Sequence, residues 1–411
     1  EALPATIGHL VHLVWAAFKN NQLEALPDSV GAWLELEHLS LEANQLSALP
    51  AVIGSWIKLK WLDVSDNKLT ALPEEMAAWR QIEWLNLENN PFVELPLVVC
   101  TLQSLKGLDL TGIEATTLPE ELGALTALEW LDLSENQLEQ VPASIGNMVE
   151  LEWLDVRANQ LTTLPSEWAN LTHLTRLNIE DNPFGGWVPV VGQLTALKEL
   201  DLTLTGLSEL PPAVGQLTHL EWLDLSENQL TTLPAALQQL QALEWLDCNE
   251  NQLAQLPAAV YQMPALREWQ LAYNQLTTID SAVEQLQNLE RLDLSHNQLA
   301  ELPDAMGNLP NLVWLNLEYN QFTELPECLA RLTQLEELDV SDNQLRALPA
   351  SYAALTQLRF LDLRNNQFTA LPDWLPGCAE TLQELCLSGN PLPAAALEQA
   401  RAWFPEANIE F

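Results

Sequence analysis

Eight of the sixteen tryptophans share one spacing. Trp15, Trp61, Trp84, Trp130, Trp153, Trp222, Trp245 and Trp314 lie 23 residues apart or a multiple of it, and Phe360 continues the series. Two residues further on runs an acidic column: Asp63, Asp109, Asp132, Asp155, Asp201, Asp224, Asp247, Asp293, Asp339 and Asp362, with Asn86, Asn178 and Asn316 in three places. Indole faces and carboxylates together do the chemistry of recognition, in which aromatic burial supplies affinity and charge supplies steering. They do not make a nucleophile. No Ser, Cys or His stands in a context that pairs it with a base, and no glycine-rich phosphate loop leads from a strand into a helix. The histidines His9, His12, His38, His173, His219 and His296 are scattered and read as satisfied surface residues. A calcium site needs roughly 6–8 converging oxygens, whereas a flat row offers one carboxylate per strand. Neither an enzyme nor a bound metal or cofactor is expected.

The columns need a repeating element to hold them, and asparagine marks it. Asn21, Asn44, Asn67 and Asn90 start a 23-residue grid that runs on through Asn136, Asn159, Asn182, Asn228, Asn251, Asn274, Asn297, Asn320, Asn343 and Asn366. Ile113 and Thr205 occupy the two grid points without it, and Asn390 closes the series after one extra residue. In the copy LEWLDLSENQL at 128–138, Leu131 and Leu133 alternate with Trp130, Asp132 and Ser134, the period-2 pattern of a short strand with one buried face. Trp and Asp then point away from the leucine core. Asn136 can bond backbone groups that the following turn leaves unpaired, so stacked copies predict an asparagine ladder. Ile113 and Thr205 lack that amide, so their turns must close differently. Pro142 sets φ for the return segment, and Gly146 allows a tight path there.

The eleven-residue phrase L-x-x-L-x-L-x-x-N-x-L resembles the leucine-rich repeat family, with seventeen copies over essentially the whole chain. The linkers LPDSVGAWLEL (26–36), LPEELGALTAL (118–128) and LPPAVGQLTHL (210–220) are similar to the 23-residue class common in bacterial repeat proteins and Ras-suppressor-like scaffolds. The resemblance implies an α/β solenoid of horseshoe form. It would carry a parallel sheet on the concave face, short 3₁₀ or irregular segments on the convex face, and a helix-strand cap at the C-terminus. The expected division is a solenoid over 1–392 and a cap over 393–411, with a helix at 393–404 and a closing strand at 409–411. Residues 61–142 align with 153–234 at a shift of 92, the mark of a tandem duplication.

Composition narrows the partners. The net charge is −41, from 57 acids and 16 bases, which repels nucleic-acid phosphates and anionic membranes and favours cationic partners. No run approaches the ~20 apolar residues of a membrane helix. No signal peptide is visible in a chain that starts mid-repeat, at Glu1-Ala2-Leu3-Pro4, so cytoplasmic and bacterial secreted or surface locations both stay open. The five cysteines show no metal spacing, and their odd number fits no disulfide framework.

Two roles are open to the Trp column: a self-supporting aromatic ladder, or a contact surface for a protein or peptide. On spacing, Trp61/Trp84, Trp130/Trp153 and Trp222/Trp245 can stack as adjacent pairs. Trp33, Trp56 and Trp79 occupy a convex core position and read as packing residues. The Trp pattern breaks at Gly107, at Arg176 and Glu199, and at Glu268, Tyr273 and Arg291, with Gly185-Gly186-Trp187 beside the second break. The candidate partner-binding set is Trp61, Asp63, Trp84, Asn86, Asp109, Trp130, Asp132, Trp153, Asp155, Arg157, Arg176, Trp222, Asp224, Trp245, Asp247, Tyr273, Trp314 and Tyr319. A glycan could use the same Trp and Asp surface in place of a peptide. Homo-association through the N-terminal edge, and service as the sensor arm of a larger GTPase or kinase, are also open to a chain of this design.

Overall fold

A computed structural model describes residues 2–411. The chain forms two compact units, the first ending at Thr205 and the second spanning Gly206–Phe411. Among the described residues each unit carries nine three-residue strands, on the predicted grid except for the closing strand Asn408–Glu410. The first runs from Trp15–Ala17 to Glu199–Asp201, the second from Trp222–Asp224 to Asn408–Glu410. Neighbouring strands within a unit pair in parallel and in register, so Trp61 faces Trp84, and Trp222 faces Trp245. The middle residue of each strand is a leucine or its equivalent pointing into the core: Leu62, Leu131 and Leu246 are fully buried.

The asparagine ladder forms as expected. Asn67 Nδ2 donates to the carbonyls of Leu41, Val64 and Ser65 at 3.0 Å each, and its Oδ1 accepts from Leu46 N at 2.9 Å. One amide thus satisfies buried groups in its own repeat and the preceding one, and the same pattern recurs from Asn44 to Asn366. At Ile113 and Thr205 the missing amide is made up by main-chain bonds, Val93 N donating to Ile113 O at 3.1 Å and Gly185 N to Thr205 O at 3.0 Å, and the Thr205 hydroxyl also donates to Leu202 O at 2.8 Å. Both main-chain donors sit in the left-handed region, Val93 at φ 61° and Gly185 at φ 68°. They lie 92 residues apart, so the two copies of the duplicated block share the same substitute turn.

The residue before each ladder position is also left-handed. Examples are Asp66, Glu135, Glu227 and Tyr273, with φ of 51–55°. Only Gly112 and Gly389 are glycine at these places, which is why the sequence did not announce the conformation. The N–H of such a residue bonds the next strand's exit, as Asp66 N does to Glu88 O at 3.0 Å, and this regular bonding holds a conformation that costs non-glycine residues about 1–2 kcal/mol.

On the opposite side, short 3₁₀ segments follow directly on prolines such as Pro27, Pro50 and Pro142. Trp33, Trp56 and Trp79 pack there as expected, stacked at 6.0 and 6.3 Å and almost wholly buried. Each indole N–H donates to a carbonyl 26 residues back, as Trp56 Nε1 does to Val30 O at 2.9 Å. At the C-terminus the helix occupies Ala394–Trp403, and the closing strand Asn408–Glu410 pairs with Glu384–Cys386. Arg364 ties this end together: Nε donates to the fully buried Asp362 at 2.8 Å, and a guanidinium nitrogen lies 3.6 Å from Glu410.

Candidate interaction face

In the first unit one of the two indole pairs that spacing suggests forms and the other does not. Trp130 and Trp153 stack at 4.5 Å with planes 6° apart. Trp84, however, makes no ring contact with Trp61 among the described residues. It packs 4.9 Å from Trp130, a neighbour two strands away. Gly107 makes this reach available. It is the register partner of both tryptophans, and a Cβ there would overlap Cε3 and Cζ3 of Trp84. What reads in sequence as a break is therefore a seat, and Trp84, Trp130 and Trp153 form one three-indole stack across it. The displaced ring leaves a depression of about 320 Å³ whose lining includes Trp61, Trp84 and Gly107.

In the second unit Trp222 and Trp245 stack as expected, at 4.5 Å and 3°. Trp314 carries the Arg291 guanidinium 4.5 Å from its ring centre, and Arg291 Nε lies 3.9 Å from Glu268. Two of the apparent irregularities, Glu268 and Arg291, are thus partners. Arg176 likewise pairs with Glu199 at 3.1 Å. Arg157 lies within 4 Å of both Glu135 and Asp155.

The acidic column is bonded to its own backbone. Instead of standing free in solvent, each Asp accepts the backbone N–H two residues on: Ser65 N to Asp63 Oδ1 at 3.0 Å, Thr111 N to Asp109 at 3.0 Å, Ser134 N to Asp132 at 2.9 Å, Arg157 N to Asp155 at 2.8 Å, Ser226 N to Asp224 at 2.8 Å and Asn249 N to Asp247 at 2.7 Å. Asn86 does the same for Glu88 N at 2.8 Å. Asp63, Asp132 and Asp155 are buried. Burial raises several of these carboxyls, reinforced by the neighbouring acids: Asp155 is pushed up to about 7 by desolvation and then by Asp132, and Asp247 to about 7 by desolvation and the nearby Asp224 and Asp293. The column is first a set of strand-end caps. The outermost charge lies in the row before the tryptophans, where Lys60 pairs with Glu37 at 2.7 Å and Lys106 with Glu129 at 3.4 Å.

Tyr273 and Tyr319 belong to neither column. Both hold the left-handed position before a ladder asparagine, and His296 lies between them, at 3.9 Å from Tyr273 and 4.5 Å from Tyr319. The two tyrosines are more than half exposed. His296 is thus no isolated surface residue. A common spacing of 23 on the grid (273, 296, 319) was the signal for this row, hidden because three aromatics in a row of otherwise polar residues look accidental. The five cysteines are buried and free. Among the described residues no group of three or more His, Cys, Asp and Glu is placed to hold a metal ion, and no helix is long and apolar enough to cross a membrane.

Comparison with known proteins places this arrangement in context. A model described as a leucine-rich repeat region matches residues 120–209 and 188–293, and two further leucine-rich repeat models match 34–92, 302–345 and 333–392, and 288–309. A leucine-rich repeat protein of Leptospira interrogans is 33% identical, with all of both chains covered and a TM-score of 0.87. YopM from Yersinia enterocolitica is 27% identical over 94% of this chain and 80% of its own, with a TM-score of 0.66. The plant peptide hormone receptor RGFR1, solved in complex with RGF2, is 23% identical over 95% of this chain and 77% of its own, with a TM-score of 0.57, a likeness of fold alone. No curated protein matches the sequence.

Proposed function

Because the chain belongs to the leucine-rich repeat family, we propose that it is a non-enzymatic recognition scaffold whose strand face binds a protein or peptide carrying both cationic and apolar groups. One observation carries the reading. A partly buried stack of three indoles, Trp84, Trp130 and Trp153, lies on the strand face of a chain of net charge −41. Aromatic side chains concentrate binding energy where a partner excludes water from them, and the surrounding field draws in positive charge. The stacking itself favours side chains over sugars. A sugar ring lies flat on an open indole face, whereas here the inner faces cover one another and mainly edges and the terminal faces are free.

The test compares intact chain with Trp130→Ala/Trp153→Ala in capture of binding partners, followed by titration of whatever is captured. The double variant should lose at least tenfold in affinity while its far-UV circular dichroism is unchanged, and binding should weaken as salt rises. Equal capture by both proteins removes the stack as the site. Binding that ignores salt and is competed by neutral oligosaccharide would replace the peptide reading with a glycan one.

A further inference from the structure

We propose that the slot between Trp61 and Trp84 is a receptor for an arginine side chain of the partner, a proposal that rests on the recognition reading above and names the group recognised. The two tryptophans are register partners on adjacent strands, where side chains would ordinarily be in contact. Trp84 instead turns away over Gly107 onto Trp130, so its other face and that of Trp61 are left with a gap between them. The adjoining depression measures about 320 Å³. A dry cavity of about 150 Å³ suffices for a benzene ring, so a planar guanidinium with its alkyl stem has room.

The charge at the rim selects the occupant. In the row before the tryptophans, Lys60 is held by Glu37 at 2.7 Å and Lys106 by Glu129 at 3.4 Å. Glu83 lies in register between these two lysines, is exposed, and makes no close ion pair among the described residues, although its charge acts on Lys60. The slot thus offers two indole faces and one carboxylate that is in no close ion pair, with Lys60 beside it. A simpler combination, one indole and one glutamate, is already filled inside this protein: in the second unit the Arg291 guanidinium sits 4.5 Å over Trp314 and 3.9 Å from Glu268, a glutamate on the neighbouring strand. A planar, weakly hydrated guanidinium stacks on such faces better than a compact, strongly hydrated ammonium.

The experiment uses the full chain labelled with 5-fluorotryptophan, with the Trp61 and Trp84 fluorine resonances assigned by single Trp→Phe substitutions. The probes are the acetylated, amidated pentapeptides Gly-Gly-Arg-Gly-Gly, Gly-Gly-Lys-Gly-Gly and Gly-Gly-Phe-Gly-Gly at low salt. The arginine peptide should shift both resonances saturably, with the lysine peptide about two- to fivefold weaker and the phenylalanine peptide weaker still. Glu83→Gln should reduce the arginine affinity several-fold. Gly107→Ala should abolish the effect by pushing the Trp84 ring back toward Trp61, while the resonances of the buried Trp33, Trp56 and Trp79 stay in place as the check on folding. Absence of shifts at Trp61 and Trp84, or equal shifts from the phenylalanine peptide, would overturn the proposal. The two readings fail separately: arginine shifts confined to Trp222 and Trp245 would sink the slot and leave the recognition face standing. Full partner capture by Trp130→Ala/Trp153→Ala would remove the three-indole stack as the recognition site whatever the slot does.

Discussion

Asp155→Asn should stabilise this protein most above neutral pH, less near pH 5, and hardly at all below pH 3.8. The Asp155 carboxyl is 3% exposed, beside Asp132, and its pKa is raised from 3.8 to about 7. A group whose folded pKa lies above its unfolded one keeps its proton in the folded chain after the unfolded chain has released it. Its contribution to stability is therefore fully present below pH 3.8, falls as pH rises from there to about 7, and is flat beyond. About three pKa units at 1.36 kcal/mol each set an upper limit of ~4 kcal/mol on the cost at pH 8. Arg157, 3.9 Å away through Nε, offsets part of it, so the net cost should be ~1–3 kcal/mol. Asparagine removes the charge and keeps the cap. The protein already makes this exchange at Asn86, Asn178 and Asn316, whose side-chain oxygens accept the equivalent N–H at 2.8, 2.9 and 3.0 Å. Guanidinium denaturation of both proteins at pH 5 and pH 8, with amide exchange of the residues around Asp155 to isolate local opening, measures the difference. A variant weakened equally at both pH values would show that the ion pair with Arg157 outweighs burial, and the reasoning would fail.

Two further outcomes follow from the geometry. Val93 is a β-branched residue at φ 61° whose counterpart in the duplicated block is Gly185, so Val93→Gly should raise the denaturation midpoint by ~1 kcal/mol equivalent; a lower midpoint would mean that the half-exposed Val93 side chain contributes more than its backbone costs. Arg364→Ala should leave the fully buried Asp362 without its cation and, with the arginine itself partly exposed and the backbone N–H bond kept, cost ~1–3 kcal/mol. If residues 393–411 cap the solenoid, as we propose, amide exchange should quicken first in Asn408–Glu410 and the paired strand Glu384–Cys386. Unchanged exchange there would detach Arg364 from the cap.

Much of the architecture was legible residue by residue. The asparagine grid, the alternation of leucine with outward residues and the prolines ahead of the return segments each state a local backbone need, and stacking repeats those needs every 23 residues. Trp33, Trp56 and Trp79 were readable as packing because their position carries leucine elsewhere. The site was only half legible. That the tryptophans line one face follows from strand periodicity, but which rings touch does not. Trp84 chooses Trp130 over Trp61 because a missing side chain at Gly107, one strand away, gives its ring somewhere to lie.

The sequence by itself determined the repeat, its period, the strand face and the residues on it, because parity along a strand assigns each side chain to one side without reference to anything distant. Only the tertiary structure decided what those residues do to one another. Seating an arginine on an indole or a ring over a glycine depends on atoms brought together from different repeats. Their separation in space is set by stacking, and no spacing along the chain reports it.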